Sequence, residues 1–316
     1  MDKPFKTVEE QIEILKNRGI KIDDDDVAKA FLIRRNYYSM INGYGRFFQS
    51  STDVYIPQTT LSEIEKVYIF DKGLKSILYS HIMEVEKYLK ATLAYYFCLE
   101  YPNPNDYSLI SSYQVQKNAS TKNIANLLAN VQRVISDYSS KKTTNAIQYY
   151  LNKYGFVPLW VLIQYMFLGD VINMYEYSSP RIQNNVSKEF ASFLQANTGN
   201  SKAKIHNKEL LQILRHIKTI RNAVAHDNNI FFIRDRFNLP YISEIHIPAG
   251  VNIKNPRNDI FQTILIMKCL ISPREYLELV SHINNHFDEF DKTIELIPSS
   301  KVISALGFPS DWHNKI

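Results

Sequence analysis

From Leu61 to about Tyr101 the chain meets no proline and a single glycine, and its apolar residues return at the period of an α-helix. Leu74, Ile77, Leu78, His81, Ile82, Val85, Leu89, Thr92 and Tyr96 fall on one stripe. This spacing predicts a long helix buried along one face. His81 lies on that face, where a lone histidine reads as a hydrogen-bonded core residue before it reads as a ligand. The same economy of breakers holds throughout: 9 Gly and 12 Pro in 316 residues favour helices.

Thr7, with Glu10 three residues on, forms a capping box ahead of the Val8, Ile12, Leu15 stripe. The acidic run from Asp23 to Asp26 reads as a solvated helix start, where carboxylates favour the positive end of the helix dipole. Further helices are predicted at 122–138, 143–154, 158–178, 181–195, 259–271, 274–291 and 299–306. Another begins at Leu210 and ends near His226, in a run of residues that favour turns. Residues 49–58, 102–121 and 196–206 read as loops. Residues 230–258 read as irregular, with Ile230 to Ile233 and Tyr241 to Ile247 as candidate short strands. The expected fold class is all-α, with room for one small β-hairpin.

Hydrophobic residues at 45% and charged residues at 22% lie in the globular range, enough to bury a core without disulfide or metal staples. That excludes a disordered chain, a fibrous repeat and a small disulfide scaffold. No apolar run reaches the roughly 18 residues of a membrane span. The best stretch, Val157 to Leu168, is interrupted by Pro158 and Gln164. The start, MDKPFKTVEEQ, has no apolar segment of the signal-peptide kind. A soluble, cytoplasmic protein is expected, with no membrane partner. Cys98 and Cys269 form neither a CxxC pair nor a zinc spacing, and a disulfide between them runs against a reducing compartment. The net charge of +5 suits a nucleic-acid partner without requiring one.

The segment that carries chemistry is Leu214-Arg-His-Ile-Lys-Thr-Ile-Arg-Asn-Ala-Val-Ala-His226. It holds Arg221-Asn222-x-x-x-His226 at the end of an amphipathic helix, and Arg-x4-His occurs once in the chain. Five residues subtend about 140° on a helix, so Arg221 and His226 do not stack. Asn222 and His226, four apart, share a face. Arg221 falls between Ile217 and Val224 on the apolar stripe, where a charge needs a partner, a ligand or a subunit interface. These residue types suit metal-free RNA cleavage. A histidine can move the proton of a ribose 2′-hydroxyl or of the leaving oxygen. An arginine can hold the phosphate and stabilise its transition-state charge. Asn222 can fix the imidazole. The products would be a 2′,3′-cyclic phosphate and a 5′-hydroxyl, and neither metal nor cofactor is called for. The other reading is structural: Arg221 in a salt bridge to Glu84 or Glu86 on the long helix, and His226 as the cap of a helix C-terminus.

Arg-x4-6-His at a helix end in an all-α chain resembles the HEPN ribonuclease superfamily, and the whole chain resembles the Abi-like (AbiD and AbiF type) abortive-infection family. Four blocks carry the resemblance: Leu15-Lys-Asn-Arg-Gly-Ile20 with Asn36-Tyr-Tyr-Ser-Met-Ile-Asn-Gly-Tyr44; Phe70-Asp-Lys-Gly-Leu74 with Ile82-Met-Glu-Val-Glu86; Pro158-Leu-Trp160 with Phe167-Leu-Gly169; and Ile220-Arg-Asn-Ala-Val-Ala-His226. They span residues 12 to about 232, and 233–316 carry no matching block. Met40-Ile41 stand where Leu-Ser is expected, and Lys72-Gly73 where an Arg-containing pair is expected. The resemblance implies a HEPN-type helical bundle at 58–235, an N-terminal helical region at 1–57 and a C-terminal helical extension at 236–316. It implies a homodimer in which two motif copies meet, so that each site draws on both chains. It also implies a toxin that arrests phage-infected cells, with a structured non-coding RNA as antitoxin-like partner beside the target RNA. Arg221, Asn222 and His226 match the family's motif.

Basic residues near the motif, Arg215 and Lys218, are the expected phosphate contacts. Arg34, Arg35, Tyr37 and Tyr38 interleave charge with aromatic rings, a pattern that holds RNA but also packs a helix against a core. Tyr44 is a further candidate for stacking on an unpaired base. His282 and His286 share a helix face, yet without a third ligand they make a poor metal site. Trp160 and Trp312 read as packing residues. Two further functions remain open: an RNA-binding protein of the same fold that does not cleave, and a regulatory helical protein in which Arg221 is an internal salt-bridge residue.

Overall fold

The computed structural model describes residues 4–114 and 120–316. The first three residues and residues 115–119 of the loop expected at 102–121 lie outside the described residues.

Helix α1 (Val8–Asn17) opens with the Thr7/Glu10 capping box, and α2 (Asp25–Arg35) is capped by Asp24, whose carboxylate accepts from the amides of Asp26 and Val27. Asn36, at φ 61°, ends α2 and turns the chain into a π-helical segment, Tyr38–Tyr44. A 3-10 turn, Gly45–Phe48, follows, then β1 (Gln49–Ser51) and β2 (Val54–Tyr55), paired antiparallel. The small hairpin therefore sits at 49–55, in the stretch that reads as a loop. Asp53 supplies the left-handed turn at φ 62°.

Helix α3 (Leu61–Glu100) spans 40 residues without interruption, about 60 Å at the usual rise. It is the axis of the molecule. After two 3-10 turns, Asp106–Ser108 and Ile110–Ser112, come α4 (Thr121–Ser139) and α5 (Ala146–Tyr154). The helix expected over 158–178 is broken. It consists of α6 (Leu159–Leu162), a 3-10 turn (Ile163–Tyr165) and α7 (Leu168–Tyr177), with Met166 and Phe167 extended between them. The buried Lys90 of α3 donates from Nζ to the Gln164 carbonyl, 3.3 Å away, which the break leaves free. Then follow α8 (Pro180–Thr198) and α9 (Asn207–Ala225).

Beyond α9 neither candidate strand forms. Ile230 to Ile233 is a turn, and α10 (Ser243–His246) occupies the second stretch. Ile242 and Ile245 are buried while Ile247 is exposed, a three-residue spacing in place of strand alternation. The chain closes with α11 (Ile260–Ile266), α12 (Pro273–Thr293) and α13 (Ser299–Ala305). Helices α12, α8, α9, α6 and α7, with the π-helical segment, all pack on α3. Buried apolar residues from Ile12 to Trp312 join one cluster.

His81 is buried and bonded through Nδ1 to the Ile77 carbonyl at 2.8 Å, as its place on the stripe predicts. Trp312 packs against Phe287 and Phe308, but Trp160 is 56% exposed and is not a core residue. Both cysteines are free thiols. No helix among the described residues is long and apolar enough to cross a membrane.

Candidate functional site

Helix α9 places the motif. Its buried face is Leu210, Ile213, Leu214, Ile217, Ile220 and Val224. His216 on the same helix is buried and bonded on both ring nitrogens, Nδ1 to Asp235 at 3.0 Å and Nε2 to Thr263 at 2.8 Å. It thereby pins α9 to the chain that follows. Burial lowers its pKa against the opposing pull of Asp235.

The end of α9 is built from its own last residues. His226 is the C-cap, as the structural reading of the motif expects. Asp227 follows at φ 55°, in the left-handed conformation that glycine usually supplies. The Asn228 amide donates to the Ala223 carbonyl at 2.9 Å, and the Asp227 amide donates to Val224 at 3.2 Å. This pair of bonds is a Schellman closure. It leaves the His226 side chain exposed, with no side-chain partner among the described residues.

An aspartate tolerates this backbone because α3 holds it. Lys75 Nζ lies 2.5 Å from Asp227 Oδ1, 2.6 Å from Asp71 Oδ2 and 3.5 Å from the Asn228 carbonyl. Asp71 is fully buried and also accepts from Tyr44 Oη at 2.8 Å and from the Ile230 amide at 3.2 Å. Burial raises the Asp71 pKa, opposed by Lys75 and the two donors. Burial beside Asp71 also drives the Tyr44 phenol far above its ordinary value. One buried network thus joins the π-helical segment, α3 and the turn that carries His226. Tyr44 is spent inside it and offers no surface for a base.

Arg221 also meets α3, further along that helix. Its Nε lies 3.9 Å from Glu86 Oε2, beyond hydrogen-bond reach. Both atoms are buried and without a hydrogen-bond partner. Glu86 Oε1 is instead taken by Lys90 Nζ at 2.8 Å. Lys218, one turn before Arg221, lies across Gly169 at the start of α7, where a Cβ would come within 3.1 Å of its Nζ. Glu86 on α3 therefore faces two cations, Lys90 and Arg221, while Lys218 lies against α7.

The expected RNA contacts are dispersed. Arg215 is half exposed and bonded to Glu176 at 2.6 Å. Arg34 is exposed. Arg35 is engaged by Glu65 at 3.0 Å and lies over the Tyr68 ring. Tyr37 is half-buried beside Arg18. Tyr38 is 73% exposed and lines a cleft with Asp227 and Asn228, so it is the one member of that group brought to the end of the motif helix. His286 packs flat on Phe70 and bonds to the Phe70 carbonyl at 2.8 Å. Among the described residues no cluster of three or more His, Cys, Asp or Glu could hold a metal.

The sequence reading passes over Asp71, Lys75 and Lys90. Their signal is present: charged residues that fall on the buried side of α3, spaced four apart as Asp71/Lys75 and Glu86/Lys90.

A family model described as Abi-like protein matches residues 30–232. No curated protein and no solved structure matches the chain.

Proposed function

The chain belongs to the Abi-like protein family, and from that premise we propose that it is a toxin-like phage-defence ribonuclease of HEPN type. It binds a structured small RNA and cleaves RNA without a metal through Arg221 and His226. Abortive infection is what the family points to; the RNA, the cleavage and the residues are our reading. The observation that carries it is the state of the motif. Arg221 is a guanidinium with no hydrogen bond from Nε, and His226 is an imidazole with none on its side chain, at the end of one helix. Arg221 meets Glu86, the partner that the structural reading expects, but as a long ion pair at 3.9 Å that leaves its Nε without a hydrogen bond.

In this mechanism His226 takes the proton of a ribose 2′-hydroxyl. The 2′-oxygen bonds to phosphorus, the bond from phosphorus to the 5′-oxygen breaks, and a 2′,3′-cyclic phosphate remains. Arg221 offsets the charge on the phosphoryl oxygens. The departing 5′-oxygen receives a proton from a second imidazole, the same residue of a second copy. Five residues apart at a helix end, Arg221 and His226 do not stack, and a homodimer joined at this end would supply both groups to one phosphate.

That same spacing favours a second reading, RNA binding without cleavage. The two are separated by incubating wild type and His226→Ala with total RNA in EDTA and analysing the new 3′ ends. Cyclic-phosphate ends from wild type alone are expected. Cleavage by neither protein, after any co-purifying RNA is stripped, would leave the binding reading in place.

A further inference from the structure

We propose that the cleft between the π-helical segment and the turn after His226 seats one unpaired nucleotide of the bound RNA. This deepens the proposed function and rests on it. The cleft has a volume of about 390 Å³ and is lined by Tyr38, Asn42, Arg46, Asp227, Asn228 and Phe232 among others. That is the size of a small-molecule site, and it has no room for a duplex.

Its chemistry is that of single-strand recognition. Two walls carry exposed rings: Tyr38 at 73% and Phe232 at 42%. Arg46 lies flat over Phe232, 3.8 Å from guanidinium carbon to ring centroid, and Phe232 in turn stacks on Phe47 at 5.7 Å. Arg46 is exposed and has no carboxylate partner among the described residues. Its charge is therefore oriented by a ring and neutralised by nothing, which suits a phosphate oxygen. Asn42 and Asn228 offer amide edges with no side-chain partner among the described residues, and Asn229 Nδ2 is buried without one. These are the groups that read a base edge once its pairing partner is gone. The Asp227 carboxylate would repel a phosphate, but Lys75 holds its Oδ1.

Both walls are fixed before anything binds. Tyr44 ties the π-helical wall to Asp71, Lys75 ties the Asp227 wall to the same carboxylate, and a Cβ at Gly43 would come within 3.3 Å of Asn229. His226 immediately precedes the Asp227 wall.

The test uses full-length His226→Ala protein, so that bound RNA persists, with a short fluorescent oligoribonucleotide carrying 4-thiouridine and the duplex of the same sequence. Tyr38 and Arg46 are exposed, so Tyr38→Ala and Arg46→Gln keep the fold. Together they should weaken single-strand binding about tenfold or more and leave duplex binding unchanged. Crosslinked peptides should map to 38–46 or 227–233. Single-strand binding that survives both substitutions, or falls no more than duplex binding does, overturns the nucleotide seat and leaves the RNA reading standing. Failure of the parent protein to bind either RNA overturns both.

Discussion

The separation of Arg221 from Glu86 decides what each substitution should do. At 3.9 Å, with 26% of the arginine side chain exposed, the contact is a weak ion pair. Arg221→Ala is expected to cost less than about 1 kcal/mol, because Glu86 keeps Lys90. Glu86→Gln leaves Lys90 and Arg221 without their shared carboxylate, and should cost about 1–3 kcal/mol. Chemical denaturation of the two variants reads this order directly. The reverse order would make Arg221 the internal salt-bridge residue that the sequence equally permits. His226→Ala, at an exposed cap, should shift stability by no more than about 0.5 kcal/mol while cyclic-phosphate ends disappear.

At the scale of elements, α3 is organised by what its surface lacks as much as by what it carries. Gly73 lets α12 approach: a Cβ there would sit 2.3 Å from the His286 ring, which stacks on Phe70. Gly73→Ala should therefore destabilise by about 1–3 kcal/mol, despite the gain of about 1 kcal/mol that alanine brings to a helix interior. Adding His286→Ala should recover part of the loss. If the single variant melts no lower than wild type, α12 does not pack there as described. Much of this architecture is legible in the sequence. The stripe on α3, the Thr7 cap, a helix start in the run from Asp23 to Asp26 and the helix end at His226 all follow from local spacing and side-chain chemistry. What stays hidden is decided at a distance. The break at Met166 and Phe167 depends on a lysine from α3 that takes the freed carbonyl. The hairpin depends on Asp53 accepting a left-handed turn, with Arg18 3.1 Å away. For the site, Arg221 and His226 are readable from the motif. The network of Tyr44, Asp71, Lys75 and Asp227 draws on three segments that periodicity treats separately.

For the whole molecule, the residues after 232, which the family model does not match, are as much part of the core as those before. Lys301 donates to the Phe47 carbonyl at 2.6 Å, and His216 joins α9 to Asp235 and Thr263. A second buried histidine, His246, bonds to the backbone of Ile242 in the same part of the chain. Burial lowers both pKa values from 6.5, outweighing the Asp235 carboxylate in one case and the Ile242 backbone bond in the other. Both rings are thus harder to protonate in the fold than in the unfolded chain. Below pH 6.5 the unfolded chain binds more protons, so stability rises with pH in that window and falls on acidification. The slope reaches about 1.4 kcal/mol per pH unit for each histidine. Asp71 and Asp259, raised by burial, act with the opposite sign, but only between 3.8 and their raised values. The melting temperature should therefore fall from about pH 6.5 to about pH 5.5, where histidine charging dominates. His216→Gln should melt lower at neutral pH but with a shallower pH dependence. A wild-type melting temperature that rose on acidification across that range would mean that the two rings are already charged in the fold. The junction between α9 and the C-terminal helices would then rest on ion pairs rather than on neutral hydrogen bonds.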